Sequence, residues 1–406
     1  MKILVINGDC IQVNTSANLC HLAYIRGLAD AGHQVTLLSA DSRDYQTDPA
    51  MNIPDSVECH TYYGVSLYEK LSLRRKSKGA SAPRLSEGGT ARTPNLKARL
   101  LRAAKDLVLS LYGVHGTYKK FVTRAKRFRS GEKYNCVISL STPVTSHLLA
   151  HELLRMGHIH ADDWIQIWED PWYSDAYGFN RRPEVLKEER RLLSFAQRIC
   201  YVSPVTLENQ KRLFPESAHK MFWQPLPAYY SASAEESSAE AKTFGYFGDY
   251  SLPARDLRPF YEAAAACGVS VNVCGSTNLA FESTDRIRIR PRLPLGELKP
   301  IEDKTGVLVF LCNRIGGQIP GKIYQYSATD RTILFILDGT EEEKKAIKGF
   351  FEPFHRYVFC ENTAEDISRA IRGIVSGAFG EIGNEPLTDF EPRKIVERIL
   401  EEGMKR

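Results

Sequence analysis

A segment rich in glycine and proline is the part of the chain best suited to bind an anion. Residues 313–322 have the sequence Asn-Arg-Ile-Gly-Gly-Gln-Ile-Pro-Gly-Lys and follow an apolar stretch that predicts a buried strand. Glycines let the backbone approach a ligand closely, and the first turn of a helix favours negative charge. Gly316, Gly317 and Lys322 are therefore candidate ligands of a diphosphate. The alternative is an ordinary loop between a strand and a helix.

Two further glycine turns follow predicted strands in the same half of the chain. Gly248 comes after a strand at 244–247, and Arg255 precedes the next helix, where a guanidinium could pair with phosphate through two hydrogen bonds. Gly275 follows a strand at 269–274. Because the carboxyl ends of parallel strands meet at one edge of a sheet, the three loops predict a nucleotide-binding crevice. Arginines before helices are also common at solvated surfaces.

In the N-terminal half, one predicted strand ends in two acidic residues between two tryptophans. Trp168, Glu169, Asp170 and Trp172 could offer indole faces to a sugar and carboxylates to its hydroxyl groups. Asp170 is the candidate base, and Glu169 is assigned to the same catalytic pair. The alternative has both tryptophans in the core and Asp170 as the N-cap of a helix.

The loop after the first predicted strand is a second candidate to line the same cleft. Asp9 and Asn14 lie between a strand at 3–7 and a helix that begins near Thr15 or Ser16. Loops at this point of a βαβ unit usually lie near the ligand. Asp9 could instead only cap a turn.

These candidates lie on two successive runs of alternating strands and helices. The chain has 406 residues, of which 43% are hydrophobic and 25% charged, and this suits two α/β domains. The predicted division is a first domain at 1–227, a polar linker at 228–242 and a second domain at 243–385. Residues 386–406 predict an amphipathic helix that could pack back on the first domain.

A basic segment interrupts the first predicted domain. Residues 70–133 contain 18 lysines and arginines against three acidic residues, whereas the net charge of the whole chain is only +5. Serine, glycine and proline at 72–94 predict an insertion at about 70–130. Apolar side chains among the cations favour contact with an anionic membrane surface, with a solvated helix as the alternative. No nucleic-acid-binding motif accompanies the charge, so no nucleic-acid partner is predicted.

The sequence disfavours several other classes of protein. No apolar run is long enough to span a bilayer and the N-terminus lacks a signal peptide, which predicts a cytoplasmic protein, at most peripheral on the inner face of the membrane. Nine cysteines include no Cys-x-x-Cys pair, so no metal site and no cofactor are predicted. The histidines, among them His21 and His147, are expected to pack helices or face solvent. The Gly-x-Gly-x-x-Gly turn of NAD-dependent oxidoreductases is missing after the first strand.

Residues 244–337, which include the three glycine loops, resemble the donor domain of glycosyltransferase family 4. The likeness runs through Gly-Tyr-Phe-Gly at 245–248, Arg255, Asn-Val-Cys-Gly at 272–275, Arg-Pro-Arg-Leu-Pro at 290–294 and Ile-Pro-Gly-Lys-Ile-Tyr-Gln-Tyr-Ser-Ala at 319–328. The N-terminal half resembles the family more loosely, and residues 70–130 lie outside the likeness.

The resemblance implies a GT-B fold, an α/β architecture of two Rossmann-like domains whose parallel sheets face an interdomain cleft. It also implies that a sugar is transferred with retention, and without a metal ion, from a UDP- or GDP-linked donor to a glycan or lipid-linked acceptor of polysaccharide biosynthesis. Arg255 and Lys322 would hold the diphosphate. The full donor-site set is Gly248, Arg255, Gly275, Arg292, Gly316, Gly317, Lys322 and Gln325.

The sequence departs from the family where paired glutamates are usual. Those positions fall on Gly317, which has no side chain to contact a sugar, and on Gln325, which could still bind a ribose hydroxyl. A usual His-Asp pair is Glu169-Asp170 in this chain. Two alternatives therefore stay open: a nucleotide-sugar-binding subunit without turnover, and a GT-B nucleotide-sugar epimerase that needs no acceptor.

Overall fold

Two parallel sheets organise the chain in the computed structural model. The structure describes residues 1–66, 70, 113–175, 178, 180–230, 232, 240–379 and 383–405. Most of the predicted basic insertion, residues 71–112, lies outside the described residues, as do 231 and 233–239 of the predicted linker.

The first domain is built on seven parallel strands. They are β1 (Lys2–Asn7), β2 (Gln34–Ala40), β3 (Glu58–Tyr62), β4 (Lys133–Ser141), β5 (His160–Trp168), β6 (Arg198–Tyr201) and β7 (Met221–Trp223). Their order in the sheet is β3-β2-β1-β4-β5-β6-β7. The described helices of this domain are α1 (Ser16–Asp30), α2 (Lys119–Ala125), α3 (Thr145–Arg155), α4 (Pro183–Phe195) and α5 (Pro204–Leu213).

Local sequence explains the central βαβ unit of this domain. All four apolar residues of β1, Ile3 to Ile6, are completely buried because the strand lies inside the sheet, between β2 and β4. The Thr15 hydroxyl accepts a hydrogen bond from the backbone N–H of Asn18 and so caps α1, as predicted. The loop between β1 and α1 is thereby held at the carboxyl edge of the sheet.

The second domain repeats this plan with six parallel strands. They are β8 (Glu240–Phe247), β9 (Ser270–Cys274), β10 (Ile287–Arg290), β11 (Thr305–Leu311), β12 (Thr332–Leu337) and β13 (Tyr357–Glu361). Their order is β10-β9-β8-β11-β12-β13. The helices described in this half of the chain are α6 (Arg258–Cys267), α7 (Leu295–Asp303), α8 (Lys322–Ser327), α9 (Glu341–Phe351), α10 (Ala364–Ser376) and α11 (Pro392–Gly403). The predicted pair of α/β domains with parallel sheets is confirmed.

The last helix, α11, returns to the first domain. Its apolar residues Ile395 and Ile399 are buried in the same hydrophobic cluster as residues of α1. The two helices approach so closely that a Cβ atom at Gly27 would lie 2.4 Å from the carbonyl oxygen of Pro392. The chain therefore crosses between the domains twice.

The first crossing includes packed residues at the start of the predicted linker. Ala228 and Tyr229 are buried, the N–H of Ala228 donates to the carbonyl of Phe390 at 2.7 Å, and the Tyr229 hydroxyl donates to the carbonyl of Ala50 at 3.0 Å. β8 then begins at Glu240, before the predicted domain boundary. Ala228 and Tyr229 are thus packed structure, because their side chains join the apolar contact between the domains, whereas Tyr230 is exposed.

Helix α7 is absent from the sequence prediction. Pro300 lies in its interior, where a proline removes a backbone donor and usually signals a loop. Leu295 and Leu298 nevertheless bury one face of the helix. Burial of these leucines favours the helix over the local preference of the sequence.

Candidate functional site

A cleft lies between the two domains, at the carboxyl ends of both sheets. The first domain lines it mainly with Asn14, Cys20, Glu169 and Asp170. The second domain lines it with Gly248, Asp249, Arg255, Gly275, Arg292, Asn313, Gln318, Lys322, Gln325 and Tyr326. Most of the predicted donor residues are therefore brought together, although they come from four different strand-end loops.

Arg255 brings a positive charge into this cleft and forms no ion pair with any of the residues that the structure describes. Its Nε donates to Asn313 Oδ1 at 2.7 Å, and a terminal guanidinium nitrogen donates to the carbonyl of Asp249 at 2.6 Å. Both partners are neutral, so they fix the guanidinium without neutralising it. A fixed guanidinium with remaining donors suits a phosphate group.

Lys322 differs from expectation because its charge is already paired. Its Nζ donates to Glu302 Oε1 on α7 at 2.6 Å, and the two side chains are only 23% and 17% exposed. Helix α8, which begins at Lys322, has six residues. Its backbone therefore contributes less to anion binding than the sequence predicts, since the partial charge at a helix end grows with aligned peptide groups.

A polar network joins the domains beside these cations. Arg292 donates to Asp249 Oδ2 at 3.0 Å and, across the interface, to Asn14 Oδ1 at 3.3 Å. The Asn14 amide in turn donates to Asp48 Oδ2 at 2.8 Å, and the same oxygen accepts from the N–H of Leu295 at 2.9 Å. The sequence did not predict a role for Asp48, because the contact with the N–H of Leu295 forms only when the two domains meet.

On the opposite wall, Asp170 is exposed to the cleft but already holds one partner. Its Oδ1 accepts a hydrogen bond from Gln318 Nε2 at 2.6 Å. Desolvation by the surrounding protein raises the pKa of Asp170, while the charge of Arg255 and the Gln318 amide act to lower it. Asp170 is not the N-cap of a helix, because α4 begins only at Pro183.

Glu169 lies behind Asp170 and is 8% exposed. Burial, together with the adjacent Asp170, holds the pKa of Glu169 well above its usual range. Its Oε1 lies 3.3 Å from Nε2 of His21, a completely buried residue of α1. Burial lowers the pKa of His21 to about 4, so its ring is uncharged near neutral pH, and the raised pKa of Glu169 favours the protonated form of that carboxyl group. His21 packs inside the domain, as expected, but its position beside a cleft carboxyl group was not predicted.

The two tryptophans do not form the predicted sugar platform. Trp168 is completely buried, donates from Nε1 to Gln166 Oε1 at 2.9 Å, and packs against the ring of His147 with centroids 4.4 Å apart. Its assignment to acceptor binding is therefore wrong, and the core alternative holds. Trp172 is partly buried and stacks on His115 at 5.2 Å, away from the residues that line the cleft.

Asp9 also lies away from the cleft lining. Its Oδ1 accepts from the N–H of Cys10 at 2.8 Å, and its carbonyl accepts from the Ser39 hydroxyl at 2.9 Å. These contacts are those of a turn, which is the alternative that the sequence left open. Asn14 accounts for the contribution of this loop to the cleft.

The glycines of the donor loops have two different roles. A Cβ atom on Gly275 would lie 1.9 Å from the carbonyl oxygen of Gly248, so the loops after β8 and β9 can touch only with glycine there. Gly316 and Gly317 do not line the cleft. Gly317 has a φ of 63°, and its carbonyl accepts from the Ser203 hydroxyl at 2.7 Å. Gly317 therefore supports the contact between the domains.

Solved structures share this two-domain arrangement. Sucrose-phosphate synthase from Thermosynechococcus elongatus is 14% identical with a TM-score of 0.57, over 98% of this chain and 94% of that chain. A candidate UDP-N-acetylglucosamine 2-epimerase from Listeria monocytogenes is 10% identical with a TM-score of 0.50, over 98% and 94%. UGT89C1 from Arabidopsis thaliana, in complex with UDP-L-rhamnose, is 12% identical with a TM-score of 0.50, over 99% of both chains.

These similarities identify the architecture as the predicted GT-B fold. At such low identity the likeness extends to the fold alone. No family model matches the chain, and no curated protein matches its sequence.

Two general features complete the description of the site and its surroundings. Within the described ranges, no group of three or more His, Cys, Asp or Glu side chains is arranged to hold a metal ion. The helices in the described part of the chain are all too short or too polar to cross a membrane.

Proposed function

We propose that this protein is a glycosyltransferase that moves a sugar from a nucleoside diphosphate sugar to a hydroxyl group of a glycan or lipid-linked acceptor. One observation carries the proposal. The guanidinium of Arg255, which is held by neutral hydrogen-bond partners, lines the same interdomain cleft as two carboxyl groups, Glu169 and Asp170. A cation for a leaving diphosphate and carboxyl groups for an attacking hydroxyl are the two halves of this reaction.

On the donor side, the diphosphate gains negative charge as its bond to the sugar breaks. Arg255 stabilises that charge without reorganising, because Asn313 and the Asp249 carbonyl already hold its guanidinium in place. Lys322 adds a second cation when phosphate replaces Glu302 as its partner. The contact between Gly248 and Gly275 keeps the strand-end loops clear of side chains where the nucleotide would bind.

On the acceptor side, Asp170 is the group best exposed to an incoming hydroxyl. It accepts a hydrogen bond from that hydroxyl once Gln318 releases its Oδ1. The nearby charge of Arg255 favours the ionised form of Asp170. Either carboxyl group of the pair could take the hydroxyl proton. Gln325 lines the cleft, and we assign it to a ribose hydroxyl.

We further propose that the donor is UDP- or GDP-linked and that the chain belongs to glycosyltransferase family 4. Retention of configuration, metal-independent hexosyl transfer and a role in polysaccharide assembly at the inner face of the membrane follow from that assignment. Support comes from the family-like segments 245–248, 290–294 and 319–328, each of which contributes residues to the cleft.

A second candidate is a subunit that binds a nucleotide sugar without turning it over. The Lys322–Glu302 ion pair favours it, since one expected phosphate ligand is already occupied. The absence of a side chain at Gly317, beside Val205 of the other domain, favours it as well. An epimerase would convert the donor sugar without any acceptor, so product analysis separates all three possibilities.

Nucleotide binding is the first experiment. We expect one of UDP-, GDP-, ADP- or CMP-sugars to raise the melting temperature without added metal, because saturating ligand stabilises the folded state. Arg255→Ala should weaken that binding at least about tenfold, since each charge-assisted hydrogen bond contributes about 1.5–3 kcal/mol. Arg314→Ala is the matched control, because Arg314 is exposed, carries the same charge and does not line the cleft. No shift with any nucleotide, or equal losses in the two variants, would contradict the donor site.

A further inference from the structure

The buried histidine behind the acceptor-side carboxyl groups has an environment that the proposed function does not yet use. His21 on α1 is completely buried, and its two ring nitrogens face oxygen atoms. Nδ1 lies 3.0 Å from Asn7 Oδ1, and Nε2 lies 3.3 Å from both Ser141 O and Glu169 Oε1. These oxygens come from the ends of β1, β4 and β5, so the ring lies at the carboxyl edge of the first sheet, behind the cleft.

The hydrogen bonds around Asn7 determine which ring nitrogen carries the proton. The Asn7 amide nitrogen donates to the carbonyl of Asp9 at 3.0 Å, which turns its Oδ1 towards His21 as an acceptor. We assign the hydrogen of the neutral ring to Nδ1, because Asn7 Oδ1 at 3.0 Å is a nearer acceptor than Ser141 O at 3.3 Å, and this assignment leaves Nε2 facing Glu169 without a hydrogen. If Nε2 gained a proton, the ring could donate from Nδ1 to Asn7 Oδ1 and from Nε2 to Ser141 O or Glu169 Oε1.

Glu169 joins this ring to the cleft. It lines the cleft but is 8% exposed, and within the described residues its Oε1 is a buried atom without a well-aligned hydrogen-bond donor. Asp170, by contrast, has one oxygen held by Gln318. Glu169 is thus the carboxyl group with a direct route from the substrate side to a second proton acceptor.

We propose that His21 is a positioning residue for Glu169, and that through Glu169 it takes up the proton that the acceptor hydroxyl loses during sugar transfer. This inference rests on the proposed transferase function and extends it. The acceptor oxygen forms its bond to the anomeric carbon, and the bond from that carbon to the diphosphate breaks, with its electron pair leaving on the diphosphate. The hydroxyl proton moves to one oxygen of Glu169 as the proton on the other oxygen moves to His21 Nε2. Glu169 stays protonated, and His21 becomes an imidazolium.

The other ionisable groups around the pair leave this transfer undisturbed near neutral pH. Cys20 and Tyr24, on the same helix, have pKa values raised well above their usual range by burial, so both are neutral. His147, on α3, has its pKa lowered to about 3, first by burial and then by His21. Asp170, the residue next to Glu169, is one of the two causes that raise the pKa of Glu169, and it therefore favours a proton on the pair.

Four variants test the proposal: His21→Gln, Glu169→Gln, the double variant, and His147→Gln as the matched control. His147 is also completely buried at the first sheet, with Nδ1 2.7 Å from Ser139 Oγ, but it does not line the cleft. For each variant, kcat and the KM for the donor would be measured by nucleotide release, together with binding of the nucleotide alone, between pH 4.5 and about pH 8.

We expect His21→Gln and Glu169→Gln each to lower kcat by about a hundredfold, the usual scale of a lost proton-transfer group, with donor KM nearly unchanged. The double variant should be no worse than either single variant, because the two groups act as one unit. His147→Gln should keep kcat within about threefold, since a change in packing alone does not remove proton transfer. The wild type should lose kcat as the pH falls towards the His21 pKa of about 4, and His21→Gln should not show that loss.

A folded His21→Gln protein with wild-type kcat and pH profile would overturn the relay, as would fully additive losses in the double variant. If His21→Gln does not fold, Glu169→Gln decides, because wild-type kcat in that variant also overturns the relay. Failure of the proposed function has a different signature: the wild type itself would bind no nucleotide and release none from any donor.

Discussion

Replacing Glu302 by glutamine should strengthen nucleotide binding, although it removes an ion pair. Glu302 Oε1 accepts from Lys322 Nζ at 2.6 Å, at a point where the proposed diphosphate would need that ammonium group. In the wild type, phosphate and Glu302 compete for Lys322. Glu302→Gln keeps the shape of the side chain and one acceptor oxygen but removes the competing charge.

The magnitude follows from the exposure of the pair. Breaking a fully buried ion pair costs about 3–5 kcal/mol. With side chains that are 23% and 17% exposed, the unliganded variant should lose about 1–3 kcal/mol of unfolding free energy. The released ammonium can then give phosphate a charge-assisted hydrogen bond of about 1.5 kcal/mol, which corresponds to about tenfold tighter binding.

Calorimetric titration of the nucleotide into the two proteins measures both effects when it is combined with melting curves. Asp303→Asn is the matched control: it removes the same charge from the next residue of α7, but Asp303 pairs with Lys299 at 2.6 Å. We expect the Glu302→Gln protein to melt earlier without ligand and to bind more tightly than the control. Equal affinity in the two variants, or weaker binding by Glu302→Gln than by the wild type, would refute the role of Lys322 as a phosphate ligand.

Three further outcomes are expected. Gly275→Ala should abolish nucleotide binding and lower the melting temperature, since its Cβ would lie 1.9 Å from the Gly248 carbonyl oxygen; an unchanged melting curve would contradict the contact. Burial raises the pKa of Glu189 from 4.5 to about 7, so between these pH values the folded state binds a proton that the unfolded state has lost. The unfolding free energy of the wild type therefore falls as the pH rises through this window, by about 3 kcal/mol in total. In urea titrations, the unfolding free energy of Glu189→Gln relative to that of the wild type should therefore increase by about the same amount between pH 4.5 and pH 8. A difference in unfolding free energy that does not change with pH would exclude the pKa shift of Glu189. Binding to phosphatidylserine vesicles, measured by sedimentation, should weaken as salt is added. Each cation replaced by glutamine on α2 or just after it should cost about 1 kcal/mol of binding free energy. Wild-type protein that never sediments with the vesicles would refute the membrane contact. The exposed cations to replace are Lys119, Arg124, Lys126 and Arg127.

Much of the cleft lining that the second domain supplies could be predicted because it depends on local rules. Gly248, Arg255, Gly275 and Lys322 each follow a predicted strand, and parallel strands bring their carboxyl ends to one edge. The same rule brought Asp170 to the cleft after β5. Trp168 shows where the rule fails, because the direction of a side chain at a strand end depends on its neighbours. Its indole points into the core and donates to Gln166, two residues earlier on the same strand.

The sequence by itself determined the two α/β domains, their parallel strands and the loops that carry cations and carboxyl groups, since periodicity and turn residues act over a few positions. Only the tertiary structure decided which charged and polar side chains of the cleft already have a partner. Glu302 neutralises Lys322 from a helix that the sequence pattern conceals, Gln318 reaches Asp170 from the other domain, and His21 meets Glu169 at the edge of a sheet. Ion pairs and hydrogen bonds act over a few ångströms, and residues 20 to 148 positions apart reach that range only when the sheets assemble and the domains meet.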